Sequence, residues 1–108
     1  MAMPPQRDHR ISLAEAAVMT RRHREARGTP DAAEGTRGAM LLRAPVQALL
    51  AQKGCEALRI YYARDDKDIP TLVVVAVDEE GNDLVGGEVL EWAFPCPPYC
   101  GGPNDLNG

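Results

Sequence analysis

The sequence has few aromatic residues, few cysteines and no long apolar run, and each shortage narrows the range of functions. Phe, Trp and Tyr make up 5% of the 108 residues. Much of the apolar fraction is alanine and valine, so little bulky material is available to build a deep, enclosed pocket. No apolar stretch approaches the ~20 residues needed to span a bilayer. We therefore expect no membrane segment, and we favour a binding or assembly role over an enclosed active site.

Positive charge is outnumbered by negative charge, with 12 Lys and Arg against 16 Asp and Glu. The formal net charge is −4 and the pI is about 5.1, which opposes general binding to a phosphate backbone. The one basic run, RRHREAR (Arg21–Arg27), has no interleaved aromatic residues, and it lies where the end of a helix favours cations. We therefore expect no nucleic-acid partner. The N-terminus MAMPPQRDHR lacks the basic-then-apolar pattern of a signal peptide, so a cytoplasmic location is expected, with mostly reduced cysteines.

Two helices are predicted from capping signals and from apolar spacing. Ser12 and Glu15 form a capping box, and the helix that starts there is expected to stop at Gly28. A second helix is predicted over Pro45–Lys53, because proline suits a first turn and Gly54 suits an exit. The preceding MLLRA is open to interpretation as a strand or as a lead-in to this helix. The polar segment 28–38 is predicted to be a mobile loop.

The second half of the chain has the two-residue period of strands. Residues 56–64 alternate, with Leu58, Ile60 and Tyr62 on one face, whereas 71–78 are apolar on both faces, as in a central strand. A weaker third strand is predicted over 83–94, broken at Gly86-Gly87. The fold class is therefore α+β: two helices packed on a small antiparallel β-meander, with an extended Pro/Cys-rich C-terminal tail. One domain is expected over 11–101, with disordered ends at 1–10 and 102–108.

Four stretches, ISLAEAA, LLAQKGCEALRIYYARDD, LVVVAVDEEGNDL and PCPPYC, together resemble a family of small bacterial proteins of unknown function. The resemblance covers Ile11 to Cys100, with alanine at 63 and 76 where that family would have glycine. It implies no particular activity. It does imply that certain positions belong to the family's pattern: Gly54-Cys55, Arg59 to Tyr62, Asp78, Asn82-Asp83 and Cys96 to Cys100.

The cysteines allow several chemistries. Cys96 and Cys100 are separated by three residues, a spacing that structural zinc sites permit, but zinc needs four ligands. Cys55 could be a third, with His9 or His23 as a fourth. A redox motif of the thioredoxin type is disfavoured by the two prolines and by the lack of a following helix. A short disulfide is sterically possible. The favoured interpretation is two reduced, partly buried thiols, with Cys55 as a small buried apolar residue.

Neither the acidic clusters nor the histidines indicate an active site. The clusters at 65–68 and 78–83 lie at opposite ends of a predicted strand, more than ~20 Å apart, and are interpreted as solvated turns. No nucleophile accompanies His23. We therefore predict a non-enzymatic interaction or assembly module without a cofactor, with a protein partner. It would bind through an exposed strand edge or through an aromatic tail surface made of Phe94, Pro97, Pro98 and Tyr99. The alternative is a zinc- or thiol-dependent protein that uses Cys96, Cys100 and Cys55.

Overall fold

The computed structural model of the protein describes residues 3–26, 37–91 and 94–107. Most of the loop predicted to be mobile, 28–36, lies outside these ranges. Two helices and five strands follow one another in chain order: α1 (Leu13–Arg24), β1 (Gly38–Met40), α2 (Arg43–Leu50), β2 (Ala57–Arg64), β3 (Pro70–Val77), β4 (Val89–Leu90) and β5 (Phe94–Cys96). The α+β class is confirmed.

Helix α1 starts as its capping signal predicts. The Ser12 hydroxyl accepts a hydrogen bond from the Glu15 N–H at 3.0 Å, which satisfies one of the free donors of the first turn. At the other end, Arg24 donates to the Leu106 carbonyl at 2.9 Å, so the basic run is hydrogen-bonded to the C-terminal segment. None of the residues of α1 is buried. Among the described residues, no helix is long and apolar enough to cross a membrane.

The larger sheet is an antiparallel meander in the order β2-β3-β4. Its register pairs Ile60 with Val74 and Arg59 with Val75. The third strand is shorter than the sequence predicts. Asp83 makes a single bridge to Val77, and β4 itself has two residues. The sheet therefore has one long outer strand, β2, and one short outer strand, β4.

The core lies on the second half of β3. Val74, Val75, Ala76 and Val77 are each at most 3% exposed, so both faces of the strand are covered, as its uninterrupted apolar run predicts. On one face, the fully buried Leu49 of α2 packs against Val74 and Ala76. Toward the start of the strand, Leu72 and Val73 are only partly buried, although the apolar run predicts a central strand along its whole length.

The two acidic turns share one geometry. Asp65 and Asp78 begin them, and each uses Oδ1 to accept two backbone N–H bonds of 2.9 Å within its own turn. The fourth residue of each turn has a positive φ, at Asp68 (65°) and Gly81 (86°). Asp68 thus holds a conformation that glycine adopts at lower cost. The acidic residues that begin the turns shape the backbone, which agrees with their interpretation as turn residues.

A second, two-stranded sheet joins β1 to β5, with Met40 opposite Phe94. The start of the extended tail predicted from the sequence is therefore the strand β5 of this ribbon. Pro95 can occupy this strand because a short, two-stranded ribbon leaves one side of each strand unpaired. The apolar run MLLRA is divided: Met40 ends β1, and α2 begins at Arg43 instead of Pro45.

The side chain of Gln52 links the end of α2 to the segment before β4. Its Nε2 donates to the Leu49 carbonyl at 2.9 Å, and its Oε1 accepts from the Glu88 N–H at 2.7 Å. A Cβ on Gly87 would lie 1.9 Å from that Oε1, whereas a Cβ on Gly86 would meet nothing within 4 Å. The glycine predicted to mark a bend thus makes room for this amide.

We therefore expect Gly87→Ala to lower the free energy of unfolding by about 1–2 kcal/mol, because Gln52 must move and its two hydrogen bonds are lost. Gly86→Ala is the matched control and should be neutral or slightly stabilising. Urea denaturation of both variants checks this. Equal stability of the two would contradict the Gln52 link.

Candidate functional site

The aromatic tail surface predicted from the sequence is only partly assembled. Phe94 is partly buried in β5, and its ring meets that of Tyr99 edge to face, with centroids 5.1 Å apart. Tyr99 is 53% exposed, and Pro97 and Pro98 are exposed beside it. Because Phe94 and Tyr99 pack on each other, part of their apolar surface is covered within the tail itself.

The two tail cysteines form a disulfide in the structure, with Cα atoms 4.7 Å apart. This differs from the favoured interpretation of two reduced thiols. The bond closes a turn in which the Tyr99 N–H donates to the Pro95 carbonyl at 2.9 Å, and the Cys96–Pro97 and Pro97–Pro98 peptide bonds are cis. The next residues are held too: the Asn107 amide donates to the Cys100 carbonyl at 3.1 Å.

Residues 102–107 thus have a defined conformation in a segment predicted to be a disordered tail. The Asn104 side chain accepts from the backbone N–H groups of Leu106 and Asn107, at 2.8 and 3.1 Å. Arg37, next to β1, donates to the Asn107 carbonyl at 3.0 Å. These bonds connect the C-terminal turn to the start of the β1–β5 ribbon.

The structure does not bring Cys55 to the tail pair. Cys55 is partly buried against the core, and its thiol donates weakly to the Ala57 carbonyl at 3.4 Å. Within residues 3–26, 37–91 and 94–107, no three His, Cys, Asp or Glu side chains are grouped so as to hold a metal ion. The alternative site of Cys96, Cys100 and Cys55 is therefore not assembled in this structure.

A polar cluster that sequence reasoning did not assemble crosses the other face of the central strand. Arg59 and Tyr61 of β2 both donate to the carboxylate of Asp83, and Arg59 also donates to the Gly81 carbonyl at 3.3 Å. We call these three residues, Arg59, Tyr61 and Asp83, the polar strap. Two signals were present in the sequence: the spacing of Arg59 and Tyr61, which places them on one face, and the position of Asp83 after the turn.

The register shows what the strap covers. Arg59 lies opposite Val75 on one side of β3, and Asp83 lies opposite Val77 on the other side. Directly paired residues share a face of the sheet. Side chains that join Arg59 to Asp83 must therefore pass over Val75 and Val77, which are buried even though α2 packs on the opposite face. The aliphatic part of arginine can cover apolar surface while its charged end stays solvated.

Each member of the strap changes the ionisation of the others. The hydrogen bond from Tyr61, and then the bond and charge of Arg59, lower the pKa of Asp83 despite its partial desolvation. The hydrogen bond to Asp83 raises the pKa of Tyr61, and desolvation adds to this. The same carboxylate raises the pKa of Arg59. The strap is therefore most stable with Asp83 ionised and Tyr61 neutral.

The face of β2 opposite the strap is apolar and open. Leu58, Ile60 and Tyr62 lie on the face that carries α2, opposite Ala76, Val74 and Leu72. They are exposed by 39%, 49% and 94%. The alternation of the strand predicted which side chains share this face. It could not predict their exposure, because that depends on how far α2 extends over the sheet. We call these three residues, Leu58, Ile60 and Tyr62, the open apolar row.

A shallow cavity of about 720 Å³ continues this surface past Tyr62. It lies between the end of α1, the start of β1 and the adjoining ends of β2 and β3, with Arg37, Arg64 and Leu72 in its lining. The cavity places a cationic rim next to the open apolar row.

The strap predicts a pH dependence of stability. Because the pKa of Asp83 is lowered on folding, its stabilising effect is present above the unfolded pKa of about 4 and is lost as pH falls through the lower folded value. Stability measured by urea denaturation should therefore fall more steeply below pH 4 in the wild type than in Asp83→Asn. Parallel pH profiles for the two proteins would contradict a stabilising role of the ionised strap.

The tail disulfide predicts a response to reductant. Closing a loop of this length reduces the entropy of the unfolded chain and stabilises by about 2 kcal/mol. We expect reductant to lower the melting temperature of the wild type and of the control Cys55→Ser, but not that of Cys96→Ser/Cys100→Ser. A wild type indifferent to reductant would contradict a structural role of the bond, and a response to chelator alone would favour zinc.

Comparisons with protein-family models, curated proteins and solved structures found no match to this chain. The resemblance to a family of small bacterial proteins, drawn from the sequence, stays a prediction.

Proposed function

We propose that this protein is a non-enzymatic interaction module that binds a partner strand along the outer edge of β2. The observation that carries the proposal is the combination of an unpaired edge and an open apolar row on the same strand. Within the described part of the chain, the eight residues of β2 pair with β3 alone. A partner strand would gain main-chain hydrogen bonds from the edge and side-chain contacts from the row.

The distribution of apolar side chains supports this use. The described core is confined to Leu49 and the stretch Val74–Val77, so much of the large apolar surface lies outside it. On a small domain, a continuous exposed row on an edge strand promotes association and is usually covered or blocked in proteins that stay monomeric. β2 carries no proline or lysine that would block pairing. Covering its open row would remove apolar area from water, which favours binding.

The residues with chemistry of their own are engaged structurally, which supports a role outside catalysis. The Arg59, Tyr61 and Asp83 side chains bond to one another, and the Asp65 and Asp78 carboxylates bond to backbone N–H groups of their turns. We keep the aromatic tail as the runner-up surface. In this surface Tyr99 is about half exposed, but the ring of Phe94 packs against Tyr99 within the tail.

The proposed cytoplasmic location and the tail disulfide require opposite redox conditions. Cytosolic thiols are kept reduced, whereas the Cys96–Cys100 bond persists in an oxidising compartment. Rapid alkylation of thiols in freshly lysed cells, followed by mass determination, distinguishes the two. Alkylated Cys96 and Cys100 would support the cytoplasm, and an intact bond would support an oxidising location. The edge of β2 can pair in either case.

The edge proposal predicts where a photoreactive side chain will capture a partner. We expect benzoylphenylalanine in place of Tyr62 to form a discrete adduct in extracts of the native host, because this side chain is the most exposed of the open row. Adduct formation should be lost with Ile60→Lys, which puts a charge into the row, and kept with Val89→Lys. Val89→Lys is the matched control for Ile60→Lys, because Val89 and Ile60 are similarly exposed, at 52% and 49%, on opposite edges of the sheet.

Two further positions complete the test. The same probe at Tyr99 samples the aromatic tail, and at the exposed turn residue Glu80 it measures background capture. Capture from Tyr99 alone would move the docking surface to the tail. Capture from neither aromatic position above the level at Glu80 would contradict the interaction proposal.

A further inference from the structure

The partner strand that best fits the β2 edge is β2 of a second copy of this chain. We infer that two copies pair their β2 strands antiparallel about a two-fold axis at Ile60, forming one continuous sheet. This inference rests on the proposed use of the β2 edge, and it identifies the partner. It comes from the order of residues along the strand together with their exposure and register.

The backbone is suited to this pairing. The Asp65 N–H donates to the Ile69 carbonyl at 2.9 Å, which marks a hydrogen-bonded pair at the end of the β2–β3 hairpin. Such pairs recur at every second residue of an antiparallel ladder. The odd-numbered residues of β2 therefore direct their N–H and C=O groups to β3, and Leu58, Ile60 and Tyr62 direct theirs outward. An axis at Ile60 brings these outward groups of the two copies into register.

The side chains are self-complementary about the same residue. With the axis at Ile60, each position pairs with the position equally far on its other side: Ile60 with Ile60, Leu58 with Tyr62, and Ala57 with Ala63 of the other copy. Moving the axis to Tyr61 would instead put Leu58 against Arg64. The Ile60 register therefore places every residue of the open apolar row against another member of the row, and such cross-strand apolar pairs stabilise a sheet.

The charges at the two ends also match. Glu56 precedes β2 and Arg64 ends it, both exposed, and the same axis brings Glu56 of one copy to the end of β2 that holds Arg64 of the other, twice per dimer. Arg64 also lies 3.7 Å from the Asp68 carboxylate of its own turn, so Glu56 would be a second carboxylate for the same guanidinium. On the opposite face, Arg59 falls across from Tyr61, so the polar straps of the two copies become neighbours. Opposite charges paired across strands stabilise a sheet and like charges destabilise it. The end charges therefore select the antiparallel register.

The geometry places both α2 helices on the same face of the joined sheet, because a two-fold axis perpendicular to a sheet preserves its faces. The six side chains of the two open apolar rows then form one strip between the helices. Burying them removes from water the part of the sheet that α2 leaves uncovered. An interface made of one strand pair and its side chains is small, so we expect a dissociation constant in the micromolar range.

Sedimentation of the purified full chain at low ionic strength tests the dimer. We expect a concentration-dependent monomer–dimer equilibrium. Ile60→Lys, which brings two like charges together at the axis, should abolish the dimer, and Val89→Lys should leave it unchanged. A chain that stays monomeric to the limit of its solubility would overturn the inference, as would equal effects of the two variants. The melting temperature of each variant confirms that it is folded.

A charge-exchange experiment tests the register. Glu56→Arg and Arg64→Glu each place like charges together twice, and each should weaken the dimer about tenfold. Mixing the two variants should restore association, because each supplies the charge that the other now needs. Glu88→Arg, on the other edge of the sheet, is the control for Glu56→Arg, with the same change in net charge. A mixture no stronger than its components would overturn the two-fold register.

The outcomes separate this inference from the proposed function. If the purified chain is monomeric while the photoreactive group at Tyr62 captures a different protein, then the β2 edge is a docking site and self-pairing is wrong. If the edge captures nothing, both are wrong. Self-capture at Tyr62 in purified protein, lost with Ile60→Lys, supports both.

Discussion

The structure depends on covering both faces of one short stretch, Val74–Val77. A strand that is apolar on both sides needs a layer on each, and the domain has little bulky material to supply two. On one face Leu49 of α2 provides the cover. On the other face the cover comes from Arg59 and Tyr61. Their side chains extend over the valines, and their polar ends bind Asp83.

The small amount of bulky apolar material explains why one face of β2 is occupied by the polar strap and the other face is open. The strap occupies the side chains on one face of the strand, and α2 is short, eight residues, so it covers β3 and leaves the open apolar row of β2 uncovered. The exposure that supports a docking role is thus a direct result of the way the core is completed. The same strand that stabilises the centre of the sheet with its polar side chains leaves its apolar side chains exposed, and we propose that a partner covers them.

How well the sequence predicts a feature depends on how far apart the interacting residues lie along the chain. The Ser12 cap, the alternation of β2 and the burial of Val75 rest on local patterns, and the sequence predicts them. The pairing of β1 with β5 joins residues more than fifty positions apart, which no local period encodes. The Asp83 strap needs the register of three strands at once. The state of Cys96 and Cys100 depends on geometry and on redox conditions, and the spacing of the cysteines permits several outcomes.

The shortness of β4 has a consequence for how large an assembly can become. A sheet with two long free edges can add strands at either side and can in principle extend into a fibre. Here one edge is the eight-residue β2. The other edge has only the two residues Val89–Leu90, which are too few to pair stably with another strand. In the proposed pairing β2 is occupied, and within the described part of the chain this sheet has no second edge of comparable length. The proposed association through this edge would therefore stop at one strand pair and would not continue into a fibre.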